Sequence, residues 1–65
     1  MKFKGANDTL MKTSYAVSRL SKKHNVNPVW VWDLFAENYN QLKGLNCMCT
    51  VEEANEIERI IIEDM

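Results

Sequence analysis

The chain has 65 residues, 46% of them hydrophobic and 26% charged, with one proline and two glycines. That length makes a single small domain, too short for a doubly wound sheet, a TIM barrel or an immunoglobulin sandwich, and the hydrophobic share is above that of a disordered chain. So few glycines and prolines also exclude an all-β fold, which needs a turn signal every ~8–12 residues.

Residues 1–6 form a basic lead with Gly5, expected to be loosely held. A first helix is expected over about residues 8–24, capped by the side-chain oxygen of Asn7 or Asp8. Leu10, Thr13, Val17 and Leu20 recur at i, i+3, i+7 and i+10 and mark its inner face. Met11 and Tyr15 make a second, narrower stripe. Arg19, Lys22 and Lys23 fall outside, near the C-terminal end where the helix dipole favours cations. Asn25 is the non-glycine residue best suited to the left-handed conformation that ends a helix. Asn27 is a good N-cap, and Pro28 then takes the first helical position, where its missing N–H costs nothing.

The second helix is expected over 28–43, closed by Gly44 with Leu45 folding back on the last turn. Residues 44–49 read as a connector. Thr50 and Glu53 have the spacing of a capping box, which starts a third helix over 51–63. Val51, Ala54, Ile57, Ile61 and Met65 line its inner face; Glu52, Glu56, Arg59 and Glu63 line its outer face. The fold class expected is all-α, a compact three-helix bundle in one domain spanning 1–65.

The net charge of −1 conceals a division: residues 1–24 carry six Lys/Arg and one Asp, residues 25–65 two Lys/Arg and eight Asp/Glu. Such asymmetry speaks about partners. It fits a self-complementary bundle or dimer whose basic helix lies near its acidic one, or two surfaces with separate partners. No 18-residue apolar run is present, so no membrane span is expected. The Met1–Gly5 segment has no apolar run either, so no secretory signal is expected. Cys47 and Cys49 are too few for a disulfide framework and fit a reducing, cytoplasmic setting as thiols.

Leu20, Ser21, Asn25, Val26, Asn27, Val31 and Leu34 stand in the order that helix-turn-helix proteins use. There, an aliphatic and a small residue precede an αL turn, an aliphatic, a cap and two aliphatics three apart. Over residues 20–34 the chain resembles that superfamily, which implies two helices crossing at a tight turn, with the second presented to DNA. The second helix departs from that use. Its outer positions are Val29, Trp30, Asp33 and Glu37, and no Lys or Arg lies between Lys23 and Lys43. Carboxylates repel phosphate, and Val and Trp do not read base edges.

Trp30, Trp32, Phe35 and Tyr39 crowd the second helix. At about 100° per residue, an apolar arc of Val29, Val31, Trp32, Phe35, Ala36, Tyr39 and Leu42 leaves Trp30 and Leu34 roughly opposite its centre. An exposed Trp beside a Leu is an anchor of the kind interfaces use; the other reading of Trp30 is a partly covered surface side chain. Ile60, Ile61 and Ile62 point in three directions, more than one small core can hide. The acidic third helix is a solvated face or a surface that meets a basic groove.

Catalytic chemistry is not expected. Cys47 and Cys49 are one residue apart, closer than the usual zinc spacing, and with His24 they lack a fourth ligand. No phosphate loop, nucleophile triad or H-E-x-x-H is present, and the chain has little room to support a preorganised site. No cofactor and no metal are expected. His24 reads as a helix-end residue packed near the turn.

The sequence thus points to a non-enzymatic protein-binding module. Small intracellular chains of this kind are frequent among bacteriophage and mobile-element accessory proteins that bind and modulate a host protein. Trp30, Asp33, Leu34, Glu37, Glu56, Ile60 and Glu63 are the expected interface. A thin core with no staple also favours self-association, a homodimer included. The alternative is a small dimeric helix-turn-helix transcriptional regulator with Lys2, Lys4, Lys12, Arg19, Lys22 and Lys23 on DNA phosphates.

Overall fold

A computed structural model describes residues 9–41 and 46–65. Five elements follow in order: β1 (Leu10–Lys12), α1 (Thr13–His24), α2 (Pro28–Tyr39), β2 (Met48–Thr50) and α3 (Val51–Glu63). The chain is mostly helical, as expected, with a small two-stranded sheet in addition. Among the described residues no helix is long and apolar enough to cross a membrane.

The corner between α1 and α2 is built by its own residues. Asn25 ends α1 in the left-handed region at φ 55° and ψ 49°. Both the Asn25 and the Val26 N–H donate to the Ser21 carbonyl, which satisfies an orphan acceptor of the last turn. Asn27 Oδ1 then accepts from the Val29 N–H at 2.8 Å, with Pro28 in the first turn. The α3 start also follows the sequence. Thr50 Oγ1 accepts from the Glu53 N–H at 3.0 Å, and Glu53 Oε1 accepts from the Thr50 N–H at 2.9 Å.

The first helix begins later than its pattern indicates. The caps expected at Asn7 or Asp8 lie outside the described residues, and α1 starts at Thr13 with Lys12 as an N-cap that makes no side-chain bond. Leu10–Lys12 is instead a strand. It pairs antiparallel with Met48–Thr50, in the register Leu10 to Thr50, Met11 to Cys49 and Lys12 to Met48. The Thr13 N–H donates to the Cys47 carbonyl and the Val51 N–H to the Thr9 carbonyl, each at 3.0 Å, so the ladder continues at both ends. The residues read as a connector thus contain β2, and helical spacing in 10–12 lost to pairing with a distant segment. Periodicity over three residues cannot register such a partner.

Alternation across the ladder buries Met11 partly and Cys49 fully, and leaves Leu10, Lys12 and Met48 exposed. Leu10 therefore leaves the inner face assigned to it.

The second helix also ends early. Asn40 takes the left-handed conformation at φ 58°, and the Gln41 N–H donates to the Phe35 carbonyl at 3.3 Å. Gln41 Oε1 accepts from the buried Thr13 hydroxyl at 2.8 Å, which ties the exit of α2 to the start of α1. An asparagine thus ends the helix four residues before the glycine expected to do so; Lys43, Gly44 and Leu45 lie outside the described residues.

The core comprises Ala16, Val17 and Leu20 of α1, Val31, Leu34 and Phe35 of α2, Cys49 of β2, and Ala54, Ile57 and Ile61 of α3. Phe35 is fully buried and packs against Tyr39 with ring centroids 6.4 Å apart. Two expectations change here. Leu34, read as an exposed neighbour of Trp30, is only 8% exposed. The buried face of α2 centres on Val31 and Phe35 and reaches to the Leu34 side, because both α1 and α3 pack against it. Met65, read as inner, follows the end of α3 and is exposed.

Candidate interaction surface

A side-chain contact joins α3 to the end of α1. His24, the last residue of α1, places Nε2 2.8 Å from Glu58 Oε2. Because α2 begins four residues after His24, its N-terminus lies toward the end of α3 that holds Glu58.

Two exposed apolar side chains belong to the turns at that end. Val29 is 56% exposed in the first turn of α2, and Ile62 is 53% exposed in the last turn of α3. Trp30 and Ile60 are half-buried and pack on the core, so Trp30 is partly covered, one of the two readings the sequence left open. Asp33, Glu37 and Glu63 are exposed, and no ion pair holds them among the described residues. Glu56 is partly exposed and pairs with Arg59 at 3.2 Å.

Of the expected interface residues, Leu34 is thus lost to the core, and Val29 and Ile62 stand exposed at the same end. Val29 had been placed both in the apolar arc and among the outer positions of the helix. For Ile62 the signal was present, since it lies about 100° from the buried Ile61, but Ile60 lies as far on the other side. Only the packing of neighbours separates the two.

Burial near Glu56, Glu53 and Glu52 raises the Tyr39 hydroxyl above its ordinary value, desolvation being the larger cause. The phenol therefore stays protonated, a donor facing an acidic surface. Desolvation likewise raises the Cys49 thiol, opposed by a hydrogen bond with Thr13 and reinforced by Glu53. A buried thiol with a raised pKa is a poor nucleophile. No pocket opens among the described residues, and none of their His, Cys, Asp and Glu side chains group as a metal site would need.

The opposite charge sits on α1. Lys12, Arg19 and Lys22 are exposed and make no ion pair among the described residues. Lys23 differs, with Nζ 2.7 Å from Glu58 Oε2. Lys2 and Lys4 lie outside the described residues. Sequence reasoning missed Tyr15, which it set beside Met11; the residue is 60% exposed on the same side of α1 as Arg19 and Lys22 by helical spacing. The spacing 12, 15, 19, 22 held that signal, because it is the helical stripe farthest from Leu20.

Set against protein-family models, curated proteins and solved structures, the chain matches none.

Proposed function

We propose that the chain is a small non-enzymatic protein-binding module, a helix-turn-helix-like three-helix bundle that docks through the shared end of α2 and α3. One observation carries this reading. Val29 in the first turn of α2 and Ile62 in the last turn of α3 are more than half exposed, each near a half-buried apolar residue in sequence (Trp30, Ile60), and the exposed carboxylates Asp33, Glu37 and Glu63 make no ion pair among the described residues. An apolar centre with a charged rim is how protein interfaces combine affinity with orientation. The partner surface that fits is apolar with a basic margin, as a nucleic-acid-binding groove of a host protein would offer. The DNA-reading use of α2 has less support, since its exposed positions include Asp33 and Glu37 and no cation.

The test is affinity capture from the native host with three baits: the natural chain, Val29→Glu with Ile62→Glu, and Asp33→Lys with Glu37→Lys. A partner retained by the first and lost by the other two, with helicity unchanged by circular dichroism, supports the reading. The same proteins on all three baits would overturn it. Equilibrium sedimentation shows whether the partner is a second copy.

A further inference from the structure

The solvent pole of α1 carries a feature that protein docking at the α2–α3 end does not use. Thr13, Ala16, Val17, Leu20 and Ser21 are buried and define one side of the helix. At about 100° per residue, Tyr15, Arg19 and Lys22 cluster on the opposite side, with Lys12 in line at the N-cap. From Lys12 to Lys22 the stripe is about 15 Å long at 1.5 Å per residue. No carboxylate occurs between Asp8 and Asp33, so nothing within this stretch neutralises it. Lys23, on the flank of the stripe, is engaged with Glu58.

Three unpaired cations ordinarily mark only a solvated face. Tyr15 adds what such a face does not need, an aromatic ring standing out between Lys12 and Arg19. Holding a large apolar ring in water has no folding benefit, whereas a ring flanked by cations matches a polyanion whose repeating unit also has a flat face. Nucleic acid is that polymer: phosphates meet the Lys and Arg groups, and an unstacked base lies on the ring. An acidic protein surface would use the cations and could cover Tyr15, but it has no flat face repeating in step with its charges, and polyglutamate tests it as the competing polyanion. A duplex hides its base faces, so the ring selects for single strands.

We infer that the Lys12–Tyr15–Arg19–Lys22 stripe binds single-stranded nucleic acid without sequence preference, Tyr15 stacking on a base and the three cations on successive phosphates. This stripe faces away from α2 and α3, so the inference stands or falls separately from protein docking.

The probe is a fluorescent oligo-dT strand of about 20 nucleotides, titrated by anisotropy at about 20 mM salt, with a duplex of equal length and polyglutamate as further arms. The natural chain should bind the single strand more tightly than either. Its log affinity should fall against log salt with a slope near −2, from about 0.7 per phosphate for three contacts. Tyr15→Ala should weaken the single strand about 5- to 100-fold and leave the duplex unchanged. Lys12→Gln with Arg19→Gln and Lys22→Gln should reduce binding at least about 100-fold and flatten the slope, although Lys2 and Lys4 remain. Circular dichroism checks that both variants keep their helices.

No binding of the strand at low salt overturns the inference. So does binding that the triple variant leaves intact, or equal affinity for polyglutamate. An unchanged affinity in Tyr15→Ala overturns the stacking role. Self-association of the natural chain that the triple variant abolishes, with no strand binding, would assign the stripe to a second copy's acidic face.

Discussion

The solvent face of α1 and that of α3 are of similar length and opposite character. Between Thr13 and His24 every charged residue is basic; between Val51 and Glu63 every one but Arg59 is acidic. The two meet at a single seam, where Glu58 receives both Lys23 and His24. Elsewhere each keeps its charge. If the division served folding alone, more carboxylates would cross to α1, because pairing opposite charges is the simplest use of them. Instead Lys12, Arg19 and Lys22 on one side, and Asp33, Glu37 and Glu63 on the other, stay unpaired among the described residues. The apolar core orders the helices, Glu58 joins the two charged faces, and the rest of the charge remains available to partners.

The largest expected effect removes both faces together. Phe35 is fully buried where the helices meet, and Phe35→Ala should cost about 3–5 kcal/mol. A domain of this size has few kcal/mol to lose, so the helical circular dichroism signal should collapse at room temperature. Persistence of a native signal would mean that the faces are held by something other than this core.

A smaller break acts on the corner that sets α2 against α1. Asn25 sits at positive φ, where a residue with an ordinary Cβ loses roughly 1–2 kcal/mol. Asn25→Ala should lower stability by about 1 kcal/mol in a denaturant titration, and Asn25→Gly should match or exceed the natural chain. Equal losses in both variants would show that the asparagine side chain matters, not the backbone conformation.

How much of this was legible in the sequence depends on the range of each interaction. The Asn25–Pro28 corner and the Thr50/Glu53 capping box are local hydrogen-bonding devices, and both stand where the residues place them. The inner faces of α1 and α3 followed from spacing at Val17, Leu20, Ala54, Ile57 and Ile61. The β1–β2 ladder was not legible, because Met11 and Cys49 meet across most of the chain. Nor was the end of α2, where Asn40 pre-empted Gly44 and Gln41 turned toward Thr13. Around the candidate surface, Asp33, Glu37 and Glu63 stand exposed as a helical wheel shows them. Leu34 is covered because flanking helices, not the α2 pattern, decide which edge of an apolar arc is buried, and spacing alone left Ile60 and Ile62 equivalent. The His24–Glu58 contact had no sequence signal beyond opposite charge.

That contact supplies the third test. Hydrogen bonds from Lys23 and then His24 hold the Glu58 carboxyl below its ordinary value near 4.5, against a desolvation that acts the other way. A carboxylate with a lowered folded pKa contributes stability above its unfolded value and loses it as pH falls through the folded one. Glu58→Gln should therefore be less stable than the natural chain at pH 7 by about 1 kcal/mol, kept small by solvent at the rim. The two unfolding curves should converge as pH falls below about 4.5. A gap that stays constant down to low pH would mean that Glu58 contributes by packing and not by charge.

The smallest effect on stability sharpens the comparison most. Arg59 is the one cation on α3, paired with Glu56 across one helical turn at 3.2 Å, with both side chains largely in solvent. Such a pair contributes about 0.3–0.5 kcal/mol, and alanine recovers part of that through its helix propensity. Arg59→Ala should leave the denaturation midpoint unchanged within error while removing the only positive charge from the acidic face. If that face meets a basic partner, association at low salt should be faster in Arg59→Ala, and the difference should vanish as salt screens it. If the carboxylates are merely solvated, the rate should not move. Because the fold is unaffected either way, the association rate separates charge kept for a partner from charge kept for solubility.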